Sequence, residues 1–559
     1  MTGSIDKIIV VAYLVIVVVA GYIYTLRMKG KQTDAEFLTG GHYMTWWQTG
    51  MTLIAQMFDP GIVGNTALAF VWGFYVVQWN GVNIWVTSWF AGLFFIAIYW
   101  RTKIITTPEY LEKRFNAMTR GVFSAVMVVM LVSFMCWGVY VGGVLLNDFF
   151  GWNYYASWVV LASVAGFYVL VGGVRTMLFL DVFQGILLLL TLFAVGIMGF
   201  VMVGGFPGIR EVTLTNPAGT PLNSIIPPMD FSLTSTVMYP FPTIPTYCVF
   251  AGMSWIICNF SMAQRLLASK DESHAQKALI VAGVFNVFTL FLAYVAGVAM
   301  RKLVFQDPTV MVEPDKAFIF LMNKFPAGVR GLLVVGMMAA LLSTVDGLLA
   351  GSSSMLNQDI YKRFIKRDAS DRHLKVVARI IQLAIILVVL WIVPKFMQEG
   401  KVSQERSGYE ILLAFLGSIM GVIIAIYILG IFFKRTTAKA SFIAMLIGIA
   451  LGIVLDRYGD ILGYIGGKMG YDWGSFPAIN FAHIGTIQFL VVLVLGIVGS
   501  YLETPKTDAE LTNLTIWTVA DIKGPWIGLK SWPNLWKWAV GLPLFWFLLS
   551  AAWEIYMRT

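Results

Sequence analysis

The sequence contains few of the residues on which soluble enzymes and disulfide-rich domains depend. Among 559 residues there are three cysteines and four histidines, and 12% of the residues are charged. The cysteines lie in apolar runs and the histidines are far apart, so neither a disulfide framework nor an HExxH-type metal motif is indicated. No phosphate-binding Walker loop and no nucleophile elbow is present. We therefore expect no catalytic activity.

Apolar residues are abundant instead. They make up 58% of the chain, and the mean hydropathy is +0.77. About 30 Å of hydrocarbon requires roughly 20 apolar residues in a helix. Stretches of this kind predict an all-α membrane protein with about 14 transmembrane helices, near 6–26, 47–79, 83–101, 121–147, 153–173, 178–204, 242–267, 276–301, 329–356, 375–397, 409–433, 438–456, 482–502 and 536–556.

The basic residues give the topology. The net charge of +9 could suggest nucleic-acid binding, but the bases cluster in short loops beside apolar spans, and we expect no nucleic-acid partner. With the N-terminus outside, inside loops carry about twice as many Lys and Arg as outside loops, which is the bias of membrane proteins. The largest inside clusters are Arg101–Arg120, Lys362–Lys375 and Lys434–Lys439. The prediction is an integral protein of the cell (plasma or inner) membrane with its N-terminus outside.

Two of the apolar stretches are interrupted. The first breaks at Phe58-Asp59-Pro60-Gly61, and the second opens with Pro242 and Pro245 and carries Gly252 at mid-depth. Proline and glycine release backbone carbonyls, which are tolerated at membrane depth only where they line a cavity or bind something. Corresponding interruptions in two halves of a chain indicate an inverted-repeat transporter with a site near the midplane.

A later span carries a polar stripe. Ala340, Ser343, Thr344 and Gly347 share one helical face, and Asp346 lies beside it. A carboxylate at membrane depth costs about 2.5–3.5 kcal/mol, so it normally faces a partner, a cavity or an ion. The alternative is a small-residue seam for helix packing.

Sodium, a hard cation, prefers oxygen ligands. An unwound segment at 55–58 facing the hydroxyls of Ser343 and Thr344 would supply carbonyl and hydroxyl oxygens. Asp181 is a second carboxylate at membrane depth, although Arg175 is close enough in sequence to suggest an interfacial acid instead. We hypothesise that Asp181 and Asp346 tune cation binding.

Five segments in order resemble the sodium:solute symporter family, which includes sodium–glucose, proline, pantothenate and sialic acid symporters. They are AEFLTGGHYMTWWQTGMTLIA (35–55), TTPEYLEKRFN (106–116), GGVRTMLFLDVFQG (172–185), FSMAQRLLASKDESHAQKA (260–278) and AALLSTVDGLLAGSSSMLNQDIYKR (339–363). The resemblance implies a LeuT-like core of two five-helix repeats. The implied parts are an extra helix in 1–30, repeats at 42–205 and 241–433, an outer loop at 206–240, and C-terminal helices in 434–559 with an inner linker at 503–535.

The resemblance also implies ligands. Carried over by position, sodium would be held by the carbonyls of Ala55, Phe58 and Ala340 and by the hydroxyls of Ser343 and Thr344. Some relatives have a second sodium site, whose acid matches Asp181 and whose three hydroxyls match Ser343, Asp346 and Gly347. Two of those three positions are not serine here, so a second site is either missing or rebuilt around Asp181 and Asp346.

The solute residues depart further from the sugar transporters. The gating tyrosine of the family matches Trp255, the neighbouring sugar-binding asparagine matches Gly252, and the sugar-binding lysine matches Asn286. Trp255 could stack on a solute or belong to the core. Asp59 could contact sodium, cap the second half-helix or bind an amine.

We therefore predict a sodium-coupled symporter that imports a small polar organic solute, a sugar or sugar-like molecule, by alternating access. An amino acid, amine or other zwitterion, carried with sodium or with protons, is the alternative, and a transporter-like sensor or channel is a further one. The predicted partners are the solute, sodium and the lipid bilayer.

Overall fold

The structure is a computed structural model that describes residues 3–28, 36, 40–57, 61–79, 81, 90–307, 312–399, 408–469, 477–519 and 527–559. Within these ranges the secondary structure is helical, with isolated β-bridges and no strand. The helices used below are α1 Ser4–Met28, α2 Trp46–Met57, α3 Gly61–Trp72, α4 Ile96–Thr102, α5 Thr107–Arg114, α6 Ala117–Phe150, α7 Tyr154–Val203, α8 Phe241–Cys258, α9 Phe260–Leu267, α10 Glu272–Gln306, α11 Val329–Met355, α12 Asp371–Glu399, α13 Gly408–Phe432, α14 Ala438–Asp456, α15 Phe481–Gly499 and α16 Leu535–Arg558.

Eleven helices in the described part of the chain are long and apolar enough to cross a membrane. One of them, α7, has 50 residues and would be about 75 Å long if straight, more than twice the thickness of the hydrocarbon. It bends at Gly173, where φ is 70° and ψ is −168°. This backbone conformation favours glycine, so α7 provides two spans, in agreement with the predicted pair 153–173 and 178–204.

The first predicted interruption lies between α2, which ends at Met57, and α3, which begins at Gly61. Phe58, Asp59 and Pro60 lie outside the described residues. The second interruption is at Asn259, which is extended (φ −66°, ψ 114°) between α8 and α9. The prediction that Pro242, Pro245 and Gly252 break this span was wrong. The prolines lie in the first turns, where a missing amide is tolerated, and Gly252 is helical.

The helix with the predicted polar stripe is the centre of the molecule. Every residue of α11 from Leu333 to Met355 is buried. This helix packs against α1, α2, α6, α7 and α9. Asp6 of α1 accepts hydrogen bonds from the backbone N–H groups of Gly328 (2.6 Å) and Gly331 (3.0 Å) at the start of α11, and it pairs with Arg330 (2.6 Å).

The loops divide between two ends of the bundle. At one end, Arg101 pairs with Glu272 (3.5 Å), and Lys434 pairs with Asp508 (2.5 Å). Arg114 of α5 also donates to the carbonyl of Thr436 there (3.0 Å). At the other end, Asn480 N–H donates to the carbonyl of Leu233 (2.8 Å). Arg363 pairs with Glu112 of α5 (2.7 Å), which brings the third basic cluster to the same end as the other two. We call this end the basic end.

Candidate functional site

The end of α2 lies against the middle of α11. A Cβ on Gly347 of α11 would lie 2.3 Å from Oε1 of Gln56, the residue after Ala55. Ala55, Ala340, Ser343 and Thr344 are all completely buried. The two segments predicted to share a cation are thus in contact, although Phe58, the fifth residue of the predicted set, lies outside the described ranges.

The two hydroxyl side chains of the predicted site differ in their hydrogen bonds. Thr344 Oγ1 donates to the carbonyl of Ala340 one turn earlier (3.0 Å), which leaves its oxygen lone pairs available. Ser343 Oγ lies near the Asp181 carboxylate without a hydrogen bond of normal geometry to any described residue. The face that joins Ala340, Ser343 and Thr344 therefore presents oxygen atoms toward α2 and α7.

Asp181 and Asp346 meet at a buried arginine. Arg265 of α9 donates through Nη2 to Asp181 Oδ2 at 2.7 Å, and the same nitrogen lies 3.9 Å from Asp346 Oδ1. All three side chains have no exposed surface. Both acids therefore lie around one buried guanidinium. The interfacial alternative for Asp181 is wrong, because that side chain is enclosed and pairs with Arg265 instead of Arg175.

The charges of this group do not balance. We call Asp181, Arg265 and Asp346 the buried triad. Tyr168 of α7 donates its hydroxyl to Asp346 Oδ2. The other oxygens, Asp181 Oδ1 and Asp346 Oδ1, have no hydrogen-bond partner among the described residues. Two carboxylates and one guanidinium carry a formal charge of −1, and a buried charge of this kind requires compensation.

Sequence reasoning missed Arg265, Tyr168 and Gln56. Arg265 could have been noticed, because it lies in the quoted segment FSMAQRLLASK as the one charged residue of the helix Phe260–Leu267. A charge in that position normally has a partner. Tyr168 and Gln56 gave no such signal, since tyrosine and glutamine occur in many membrane helices without a binding role.

A separate cavity lies between α3, α8, α10 and α13. Its free volume is about 60 Å³, enough for a few water molecules. The predicted solute residues Trp255 and Asn286 line it, with Asn65, Trp79 and Tyr409. Gly252, one turn before Trp255, is buried but is not among the lining residues, and Asp59 lies outside the described ranges.

Asn286 is the most informative of these residues. It is 1% exposed, and neither its amide nitrogen nor its oxygen has a hydrogen-bond partner in the described part of the chain. Trp255 packs against Phe134, with ring centroids 4.2 Å apart, and both residues line the cavity. A buried amide without a partner costs free energy unless a ligand or water satisfies it.

The start of α13 closes one side of this cavity. Tyr409 packs so closely on α3 that a Cβ on Gly64 would lie 2.3 Å from the tyrosine Cγ. The preceding residue, Gly408, donates its backbone N–H to Oδ2 of Asp315 at 3.0 Å. Burial, together with the nearby Glu313 and Glu410, raises the pKa of Asp315 to about 7. The Gly408 hydrogen bond acts in the opposite direction and lowers this pKa. Asp315 lies in the loop between α10 and α11, outside the spans.

The profile of the sodium:solute symporter family matches residues 37–448, which is most of the chain. The chain belongs to this family. It is an integral membrane transporter that couples the import of a small solute to sodium, as the sequence predicted. The members it resembles are transporters rather than enzymes.

Curated relatives match over nearly the whole chain. Sodium/glucose cotransporter 4 of Danio rerio is 25% identical over 557 residues, covering 93% of this chain and 83% of the relative. The sodium/myo-inositol cotransporter of Canis lupus familiaris is 26% identical, covering 92% and 75%. A sodium/mannose cotransporter of Bos taurus is 25% identical, covering 92% and 89%.

The solved structure of a sodium-coupled sialic acid symporter has the same fold as this chain. Its TM-score is 0.73 at 20% sequence identity, over 90% of this chain and 99% of the solved one. The predicted all-α fold with a LeuT-like core is thereby confirmed.

Proposed function

We propose that a sodium ion binds between the end of α2 and the middle of α11. Its ligands are the carbonyls of Ala55, Phe58 and Ala340 with the hydroxyls of Ser343 and Thr344. The observation that carries this proposal is the contact between Gln56 and Gly347, which joins the two segments. The lone pairs of Thr344 Oγ1 remain free to coordinate a cation while its proton is held by the Ala340 carbonyl.

The buried triad favours a cation in this site. Its formal charge is −1, and its member on α11, Asp346, lies within one turn of Ser343 and Thr344. In a medium of low dielectric constant, that charge attracts sodium strongly and is neutralised by it. An empty sodium site leaves the charge uncompensated unless a proton binds.

We propose further that Arg265 takes the position of a second sodium ion. Its Nη2 lies near three of the residues matched to that site in relatives: it is 2.7 Å from Asp181 Oδ2, 3.4 Å from the carbonyl of Ser343 and 3.9 Å from Asp346 Oδ1. A Cβ on Gly347, the fourth matched residue, would lie 2.6 Å from the same nitrogen. One sodium ion per transport cycle is the expected stoichiometry.

The solute is a neutral polar ring, a sugar or sugar-like polyol. The described residues that line the cavity carry no formal charge and combine aromatic faces with the amides of Asn65 and Asn286. Aromatic faces and amide groups suit the apolar ring and the hydroxyls of such a molecule. The relatives named for glucose, myo-inositol and mannose support this assignment. The cavity must widen to admit a ring, which agrees with alternating access.

The architecture supports the same mechanism. The repeats at 42–205 and 241–433 each begin with a broken helix, α2 with α3 and α8 with α9. The basic clusters share one end of the bundle, which supports an N-terminus outside and a basic end in the cytoplasm. Import of one sodium charge contributes about 2.3 kcal/mol per 100 mV, or about fifty-fold accumulation of solute. No covalent step on the solute is part of this cycle.

Proton coupling is a second candidate, favoured by the unpartnered Oδ1 of Asp346. The test uses the full chain in proteoliposomes with labelled glucose, mannose, myo-inositol and an amino acid. We expect an inward sodium gradient at equal pH to drive accumulation of one of the sugars or the polyol above its outside concentration. Accumulation driven only by a pH gradient would establish proton coupling, and uptake that stops at equilibration would establish a channel.

A further inference from the structure

A surface groove lies at the basic end, away from the proposed sodium site and the solute cavity. Its free volume is about 330 Å³. It is bounded by the start of α2, one face of α10, the start of α16 and the segment that leads into α16. The residues that define it are Trp46, Lys277, Val281, Phe285, Trp532 and Trp538. On α10 these residues recur at i, i+4 and i+8, which is a continuous stripe along the helix.

The surface of this groove is apolar and aromatic. Trp46 is 41% exposed and Trp538 is 45% exposed. Tryptophan side chains are enriched where a membrane protein meets the boundary between hydrocarbon and headgroups. In a chain that spans the bilayer, a lipid molecule is therefore the neighbour of these rings, and an acyl chain is the part of it that an apolar groove accepts.

The rim of the groove carries positive charge. Lys277 is half-buried, and its Nζ lies 5.9 Å from the centre of the Trp532 ring. Lys537, the residue before Trp538 on α16, is exposed. The nearest carboxylate on α10, Glu272, is already paired with Arg101 at 3.5 Å. A phosphate at Lys277 would therefore meet positive charge, which attracts anionic lipid at the cytoplasmic leaflet.

We propose that this groove binds one anionic phospholipid, with an acyl chain between Trp46, Trp532 and Trp538 and a phosphate at Lys277. The site has a direct connection to the transport machinery, because Trp46 is the first residue of α2 and α2 carries Ala55. Beside the groove, α2 already packs on α10, where a Cβ on Gly50 would lie 3.2 Å from Val281. A bound lipid therefore holds the start of α2 against α10.

The test measures lipid retention by the purified full-length protein, without solute or sodium. The protein is equilibrated with equal amounts of phosphatidylglycerol and phosphatidylcholine, and native mass spectrometry counts the retained lipids. We expect the wild type to retain one more phosphatidylglycerol than Lys277→Gln or Trp538→Ala. Lys366→Gln is the matched control, since this exposed lysine lies on the loop between α11 and α12 and should leave retention unchanged.

Two results would overturn the proposal: no preference of the wild type for phosphatidylglycerol, or equal retention by the wild type and Lys277→Gln. If Lys277→Gln does not fold, Trp538→Ala replaces it, and equal retention by the wild type and Trp538→Ala would then overturn the proposal. The measurement is independent of transport, so it stands whether or not the proposed solute is correct.

Discussion

Nη2 of Arg265 lies 2.7 Å from Oδ2 of Asp181, and both side chains are completely enclosed. The pair joins α9, the second half of a broken helix, to α7. The same guanidinium approaches Asp346 on the central helix α11. One cation thus connects three helices at the depth where sodium is proposed to bind.

Removing this cation should destabilise the protein strongly. Arg265→Gln leaves two buried carboxylates without compensation, and breaking a buried ion pair costs about 3–5 kcal/mol. We expect a marked fall in the thermal unfolding temperature of the purified protein. The double variant Asp181→Asn, Arg265→Gln should recover part of that loss, because it removes one of the charges. Equal stability of the single and double variants would show that the pairing is not the cause.

Asp346→Asn should weaken sodium binding about tenfold, or by about 1.4 kcal/mol. The substitution removes the excess negative charge of the buried triad but preserves the size of the side chain. The measurement is the sodium concentration that gives half-maximal uptake in proteoliposomes, determined at two pH values. Competition between protons and sodium should disappear in this variant.

Asp460→Asn is the matched control for that experiment, because this exposed carboxylate lies on the short helix Tyr458–Met469. Its sodium dependence should equal that of the wild type. An unchanged sodium dependence in Asp346→Asn would end the hypothesis that the acid tunes cation binding.

Thr344→Ala should raise the half-maximal sodium concentration by about tenfold or more, since it deletes a hydroxyl ligand, whereas Thr344→Ser should retain near-normal affinity. Sodium-dependent thermal stabilisation reports the same difference without any solute, because a ligand that binds the native state stabilises it by mass action. If the alanine variant were stabilised by sodium as well as the wild type, Thr344 would not be a ligand.

Asp315 predicts a pH dependence of stability. Its pKa is raised to about 7 by burial, so the folded protein favours the neutral carboxyl more than the unfolded chain does. The neutral Asp315 carboxyl therefore makes its full contribution to the free energy of unfolding below about pH 4. This contribution is lost as the pH rises to about 7. Asp315→Asn is neutral at every pH, and its amide oxygen can still accept from Gly408.

The thermal unfolding temperature of Asp315→Asn should therefore exceed that of the wild type increasingly between about pH 4 and about pH 7. Charged and titratable neighbours that bear on this group are Glu313, Lys316, Glu410 and Tyr140. Glu313→Gln, an exposed change nearby, should produce a much smaller effect. A difference between Asp315→Asn and the wild type that does not vary with pH would contradict the assignment.

The sequence predicted the spans well because hydropathy depends on local composition. The ends of α14 agree with the predicted stretch, and the bend at Gly173 falls at the predicted boundary between two spans. The second break was placed wrongly, because proline and glycine were taken as its signal. The actual break uses Asn259, whose side chain accepts from the N–H of Ser261 (2.8 Å) and begins α9 as a cap.

The site was predictable in part. Ser343, Thr344 and Asp346 stand out as polar residues in an apolar helix, so their shared face could be inferred from spacing. The pairing of Arg265 with Asp181 could not, because the two residues are distant in sequence and their contact depends on how α9 packs against α7. Whether a buried acid is matched by an arginine or by an ion is decided only in three dimensions.

The cap that Asp6 makes on the start of α11 has a practical consequence. This carboxylate attaches the first helix to the helix that carries Ala340, Ser343 and Thr344, with Gly328 and Gly331 as its partners. Truncation or a bulky fusion close to Asp6 would disturb that attachment and therefore the helix that carries the proposed sodium ligands. Fluorophores and affinity handles for this transporter therefore belong on the exposed loop around Lys366.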